Sequence, residues 1–178
     1  MKKRLNTLVT ILLWLGLFFI GYVITLYLYP NVVYYKATTK MALENNILLL
    51  TDLPNSDSRK VVKPNPDFLY VIAQYDLSDG PIQIKGLMPD SSYWSLALYQ
   101  PNTINYYVKN DQQFETSKVN VIFKTKEETN KQSQDGNTII SPSTKGMLLF
   151  RILVTDPSVE GLQKLNKYKE SIELNKLY

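Results

Sequence analysis

The chain contains no cysteine and no histidine. Without cysteine there is no disulfide framework and no thiol chemistry. Without histidine the commonest general base and the commonest metal ligand are gone. A zinc centre of the usual kind and a Ser-His-Asp triad are excluded, and no cofactor or metal is expected. Acidic residues are missing from positions 1–40, and all 16 lie further on. Three of the 20 basic residues are Lys2, Lys3 and Arg4, so from Pro30 onward 17 basic side chains face 16 acidic ones, a balance of +1. No basic excess remains to build a nucleic-acid surface, and no nucleic-acid partner is expected.

Charge of either sign is also absent from Leu5 to Tyr29. About twenty apolar residues suffice to span a bilayer as a helix. A secretory signal peptide has a shorter apolar region and ends in small residues. This run ends in LYLYPNVVYY, so an uncleaved anchor contacting the lipid bilayer through residues 5–29 is the better reading. The Lys-Lys-Arg cluster predicts a cytoplasmic N-terminus and an extracytoplasmic, periplasmic remainder. Tyr27, Tyr29, Tyr34 and Tyr35 fit an aromatic belt at the far interface.

The 178 residues include 13 tyrosines, which favours β structure with half-wet strand faces. Pro30 either closes the membrane helix or opens the next one. Tyr34, Ala37, Met41 and Leu48 lie near helical spacing, and a short helix is expected to about Asn46. TDLPNSDSRK is a polar, turn-rich loop. From Val61 the pattern turns to β. Leu69, Val71, Ala73, Tyr75 and Leu77 alternate on one face of FLYVIAQYDL, and apolar residues on both faces at one end suggest a central strand. PIQIKGL, YWSLALYQ, NYYVK, VNVIFK and GMLLFRILV supply further strands, with Trp94, Leu96 and Leu98 on one face of the third. Residues 124–138 are polar and charged, and are expected to form a long exposed loop. At the end, Asp156 suits an N-cap and Pro157 a first helical position. Val159, Leu162, Leu165, Tyr168 and Ile172 form an apolar stripe, with Lys164, Lys167, Lys169 and Glu170 left wet.

The stretch KPNPDFLYVIAQYDLSDGP, Lys63 to Pro81, supports two readings. In the first, Pro66 holds Asn65 extended, and Asn65 and Asp67 accept backbone N–H groups in an Asx turn. That turn would set the register of the next strand, with Tyr70 as a core ring. In the second, Asn65, Asp67, Tyr70, Asp76 and Arg151 are ligand-binding residues. Arg151 sits in an apolar strand, where a charge needs a carboxylate, and Asp67 and Asp76 are the obvious partners. Such a pair would line a polar pocket for a sugar or other small polar ligand. Two carboxylates also raise glycoside hydrolysis, which needs a fixed separation and one raised pKa. Tyr93, Trp94 and Tyr99 are either core aromatics or a stacking platform for carbohydrate.

These same residues carry a resemblance. Pro64, Asn65, Asp67, Leu69, Tyr70, Asp76, Leu77, Ser78, Gly80 and Pro81 match the signature of a bacterial family, domain of unknown function 1254. SSYWSLALYQPNTINYY is similar to its second motif, with Ser92 in place of an arginine and Tyr93 and Ser95 matching. SPSTKGMLLFRILVTDPSVEGLQKL is similar to its third, where Arg151 takes the arginine's place. The likeness runs from about Val61 to Leu165. The family's glycine-rich segment after the third strand is replaced by the polar stretch 124–138. The resemblance implies a β-sandwich or jelly-roll-like fold, an envelope location, and a separate companion protein carrying domain of unknown function 1214, which larger relatives join in one chain. It implies no activity.

The expected architecture is mainly β with helices: an N-terminal transmembrane helix, an antiparallel sandwich or jelly-roll-like domain and a C-terminal amphipathic helix. The expected divisions are residues 1–30 for cytoplasmic tip and anchor, 31–60 for a helical stalk and loop, and 61–178 for the β domain. Binding or assembly with a partner protein is expected ahead of catalysis, with a small-polar-ligand or glycan-binding domain as the alternative.

Overall fold

The computed structural model describes residues 2–55, 58, 64–127 and 137–177. The chain opens with one helix, α1 (Lys2–Lys40), that runs without a break through Pro30. At about 1.5 Å per residue it is ~58 Å long. Apolar side chains from Leu8 to Tyr29 are exposed along its length, Trp14 to 69% and Phe18 to 68%. Its last turns behave differently. Tyr34, Thr38 and Met41 are buried, on one helix face by their spacing. The helix then stops in a left-handed cap. Ala42 takes φ 53°, Leu43 N–H donates to Thr38 O and Ala42 N–H to Thr39 O. That double bond pattern is a Schellman cap with alanine where glycine is usual.

Among the described residues nine strands follow, in two sheets. β1 (Leu48–Leu50), β2 (Phe68–Asp76), β8 (Lys145–Leu153), β4 (Trp94–Tyr99) and β5 (Asn105–Asn110) form an antiparallel sheet in the order β1-β2-β8-β4-β5. β7 (Thr138–Ser141), β6 (Lys118–Thr125), β3 (Ile82–Leu87) and β9 (Glu173–Lys176) form the second, in the order β7-β6-β3-β9. The alternation of apolar residues sets the inner faces. Leu69, Val71, Ala73 and Tyr75 of β2, Trp94, Leu96 and Leu98 of β4, and Leu148, Phe150 and Ile152 of β8 meet Ile82, Ile84, Val119, Val121 and Phe123 of the other sheet in one core. Tyr75 brings a hydroxyl into that core, 2.9 Å from Tyr106 Oη and 3.2 Å from Ser141 Oγ. Burial holds the Tyr75 and Tyr106 phenols above their ordinary pKa, so both stay neutral.

The mainly β architecture with a long apolar N-terminal helix and a C-terminal helix is as expected. Several local expectations change. The helix ends at Lys40 and not near Asn46, and Leu48 pairs in β1 instead of extending a helical stripe. β7 runs parallel to β6, an exception to the antiparallel expectation. A parallel pair needs a connection of about a dozen residues or more, and the polar stretch supplies it. Residues 128–136, most of the loop expected over 124–138, lie outside the described residues, as do 56, 57 and 59–63 of the expected polar loop and strand start.

The C-terminal helix α2 spans Val159–Glu170. Its N-cap is Ser158, whose Oγ accepts from Gly161 N–H at 3.1 Å. Asp156 instead accepts from Ser158 N–H at 2.9 Å, a bond that holds its carboxyl below the usual range. The stripe is narrower than expected: Leu165 is buried and Tyr168 packs on the core, while Val159 is 75% exposed. Lys169, expected to stay wet, is buried, and its ammonium donates to Thr51 O at 2.9 Å. Its stem fills space beside the sheet while its charge finds a carbonyl.

Candidate functional site

The motif at Asn65 is first of all a turn. Asn65 Oδ1 accepts from Asp67 N–H at 2.9 Å, and Phe68 N–H reaches Asn65 O at 3.3 Å. Tyr70 clamps the same turn: Asn65 N–H donates to its hydroxyl at 3.1 Å. Asp67 O accepts from Val154 N–H at 2.8 Å, which ties the turn to the end of β8. Asn65, Asp67 and Tyr70 therefore come together and set the register of β2. Tyr70 is half-buried on the outer face of the sheet, not a core ring.

Arg151 lies directly opposite Tyr70 on β8, and opposite Ser95 on its other side. It too points outward and is exposed. Its Nε donates to Ser95 Oγ at 2.8 Å, and Nη2 lies 3.5 Å from Tyr93 Oη. Its guanidinium sits 5.8 Å from the Phe68 ring centre and 6.0 Å from that of Tyr93, and those two rings meet edge to face at 6.1 Å. Among the described residues it forms no ion pair with Asp67, Asp76 or any other carboxylate. A carboxylate partner is needed where a strand is buried on both faces. β8 buries only one, so water carries the charge.

Asp76 belongs to another place. It ends β2, roughly 26 Å from Phe68, the neighbour of Asp67, at ~3.3 Å per residue. There it pairs with Lys145 at 2.9 Å and accepts from Ser78 Oγ at 2.6 Å, Ser78 N–H at 3.0 Å and Asn45 Nδ2 at 3.2 Å. Burial pushes its carboxyl up, but the Ser78 and Lys145 bonds outweigh that and leave it below the usual range. The separation from Asp67 is far beyond the ~5–9.5 Å that paired glycosidase carboxylates require. Four of the five residues thus share one end of the outer sheet face, and Asp76 marks the other.

Trp94 is core, 4.9 Å from the Phe114 ring, so Tyr93, Trp94 and Tyr99 do not make one platform. Phe68, Tyr93 and Ser95 are partners of Arg151 that no sequence motif announces. The period of two that placed Trp94 inward also placed Tyr93 and Ser95 outward, and that was the available signal. Two open clefts lie elsewhere. One, about 430 Å³, runs between α2 and the segments at Leu87–Ser92 and Thr155–Asp156. The other, about 580 Å³, is lined by Ser78, Lys126, Glu127 and Ser141 among others. Neither includes any of the five residues. Among the described residues no group of three or more acidic side chains is placed to hold a metal ion.

The fold is shared with solved proteins. The VPA0106 protein of Vibrio parahaemolyticus superposes with a TM-score of 0.64 at 14% identity, over 85% of this chain and 36% of that one. A putative uncharacterized protein from Burkholderia cenocepacia superposes with a TM-score of 0.54 at 15% identity, over 85% of this chain and 40% of that one. The chain spans well under half the length of either. No curated protein matches. The family model described as "Protein of unknown function (DUF1254)" matches residues 44–176, the whole sandwich and its C-terminal helix, and the chain belongs to that family.

Proposed function

We propose that this is a single-pass protein of the bacterial inner membrane whose extracytoplasmic sandwich binds a partner protein. The observation that carries the reading is the bare apolar surface of α1. Among the described residues it is the one helix long and apolar enough to cross a membrane, and none of that apolar window is buried by the fold. Its polar side chains turn inward on their own backbone: Thr7, Thr10 and Thr25 donate to the carbonyls of Lys3, Asn6 and Gly21 at 2.8–3.0 Å. Such back-bonding satisfies hydroxyls where water is absent. The basic cluster Lys2, Lys3 and Arg4 supports a cytoplasmic N-terminus.

The partner reading is supported by the much longer chains of the solved relatives. A companion carrying domain of unknown function 1214 would supply what this chain does not span. The sheet's open outer face, with its arginine and aromatic side chains, suits a protein surface better than an enclosed small ligand.

Alkaline carbonate extraction of membranes, with protease protection of a C-terminal tag, tests the anchor. Retention in the pellet with a tag cut only from outside the inner membrane is expected. Release by carbonate, or a tag protected on the cytoplasmic side, overturns the reading. Crosslinking of native-level protein in mild detergent tests the companion, and a chain recovered alone removes it.

A further inference from the structure

Among the described residues Arg151 is held in place without a counter-ion. Ser95, whose side chain is fully buried, fixes Nε from below. The rings of Phe68 and Tyr93 stand beside the guanidinium plane. Only Nη2 has a further contact, a long one to a phenol. The residue is exposed, and no described carboxylate meets its remaining N–H groups. An ordinary exposed arginine wanders among rotamers, and its surface ion pairs contribute little for that reason. Here the conformational cost of fixing the fork is already met by the fold, which is the condition for a strong bidentate bond to a carboxylate.

We infer that Arg151, walled by Phe68 and Tyr93 and opposite Tyr70 in the sheet, is the point at which a protein partner docks an Asp or Glu side chain. The inference rests on the partner-binding reading above and names the contact it would use. Three observations favour a protein carboxylate over a small free acid. The cluster lies on an open strand face, and the two clefts lie elsewhere. Tyrosine and arginine in a close group are the residue types that dominate protein interfaces. The aromatic walls offer apolar contact next to the charge, so a partner side chain flanked by its own apolar neighbours gains from both. The site is also at the far end of β2 from Asp76, where Asn45 and Asn46 bring the chain in from α1. It is therefore turned away from the helix connection.

The experiment places the photo-crosslinking residue p-benzoylphenylalanine at Phe68 in the full-length protein in cells, and separately at Val108 on the edge strand as a second position. Irradiation is expected to give a protein adduct at Phe68 whose yield falls about tenfold or more with Arg151→Gln. Combining Arg151→Glu with Lys or Arg at the partner's crosslinked acidic residue is expected to restore it. Thermal unfolding of the Arg151 variants checks that the fold persists. An adduct indifferent to Arg151→Gln, a lipid or glycan adduct only, failed charge-swap rescue, or no adduct at Phe68 overturns the inference. A protein adduct at Val108 alone keeps the partner reading while sinking this contact, and silence at both positions removes both.

Discussion

Asp76 and Lys145 stand opposite each other at the ends of β2 and β8, and their side chains close an ion pair of 2.9 Å. Asp76 also gathers Ser78 and Asn45, so one carboxylate joins β2, β8, the following turn and the segment leaving α1. Its lowered pKa means that the folded state prefers the charged form. That contribution is present above the ordinary carboxylate range near ~3.9 and fades as pH falls through the folded value. Lys145 is raised by Asp76, so its share is present below ~10.4 and is lost above. Asp76→Asn is expected to lower the unfolding temperature by about 2–4 °C at pH 7, as for a loss of ~1 kcal/mol. The gap from wild type should narrow at pH 3, and an unchanged gap would mean that charge at Asp76 is irrelevant.

Gly146 is irreplaceable on steric grounds. A Cβ there would overlap the Tyr75 hydroxyl and the backbone carbonyl of Tyr99. A side chain can move, but Tyr99 O belongs to a paired strand. Gly146→Ala is expected to cost about 3 kcal/mol or more, read by denaturant unfolding. Adding Tyr75→Phe should recover little of the loss, because the carbonyl clash remains.

The cap of α1 offers a stabilising change. Ala42 holds φ 53°, where a Cβ costs about 1 kcal/mol. Ala42→Gly should raise stability by about 0.5–1 kcal/mol, with the Schellman bonds kept. A fall in the unfolding temperature would show that Ala42 earns its place through contacts rather than backbone geometry.

Lys169 and Val159 test which side of α2 is inside. Lys169→Ala removes a buried stem and leaves Thr51 O without its ammonium, at a cost of about 2 kcal/mol. Val159→Ala, at a side chain 75% exposed, should stay within ~0.5 kcal/mol. The reverse ranking would restore the stripe expected from the periodicity alone.

That ranking shows where sequence reading works and where it stops. The strands of six or more residues were legible because their period of two is long enough to see: Leu69, Val71, Ala73 and Tyr75 face the core as expected. The strands β1, β7 and β9 have three or four residues and no period of their own. Each exists because a longer neighbour offers it an edge, and that is tertiary information. For Lys169 the residue type says water, while its acceptors, Thr51 O at 2.9 Å and the more distant Asp52 carboxylate at 4.0 Å, lie far away in sequence, Thr51 by 118 positions. At the candidate site, Asn65 carries a local signal, the Asx turn, and it is readable, whereas Asp67 joins that turn through its backbone and not, as expected, as a second side-chain acceptor. The setting of Arg151 depends on which face of β8 is covered, and alternation alone does not say which sheet lies behind it.

The pairing of β3 with β9 has a kinetic consequence. Ile82 meets Lys176, and β2 likewise waits for β8, from Phe68 with Leu153 to Asp76 with Lys145. Neither sheet can close on a partial chain, because loop-closure entropy is paid before these distant contacts return anything. An emerging chain that has reached only β6 exposes Ile82, Ile84, Val119 and Val121 on strands with an open edge. For as long as it takes to produce the chain through Lys176, it is a substrate for holding chaperones and proteases rather than a folded domain.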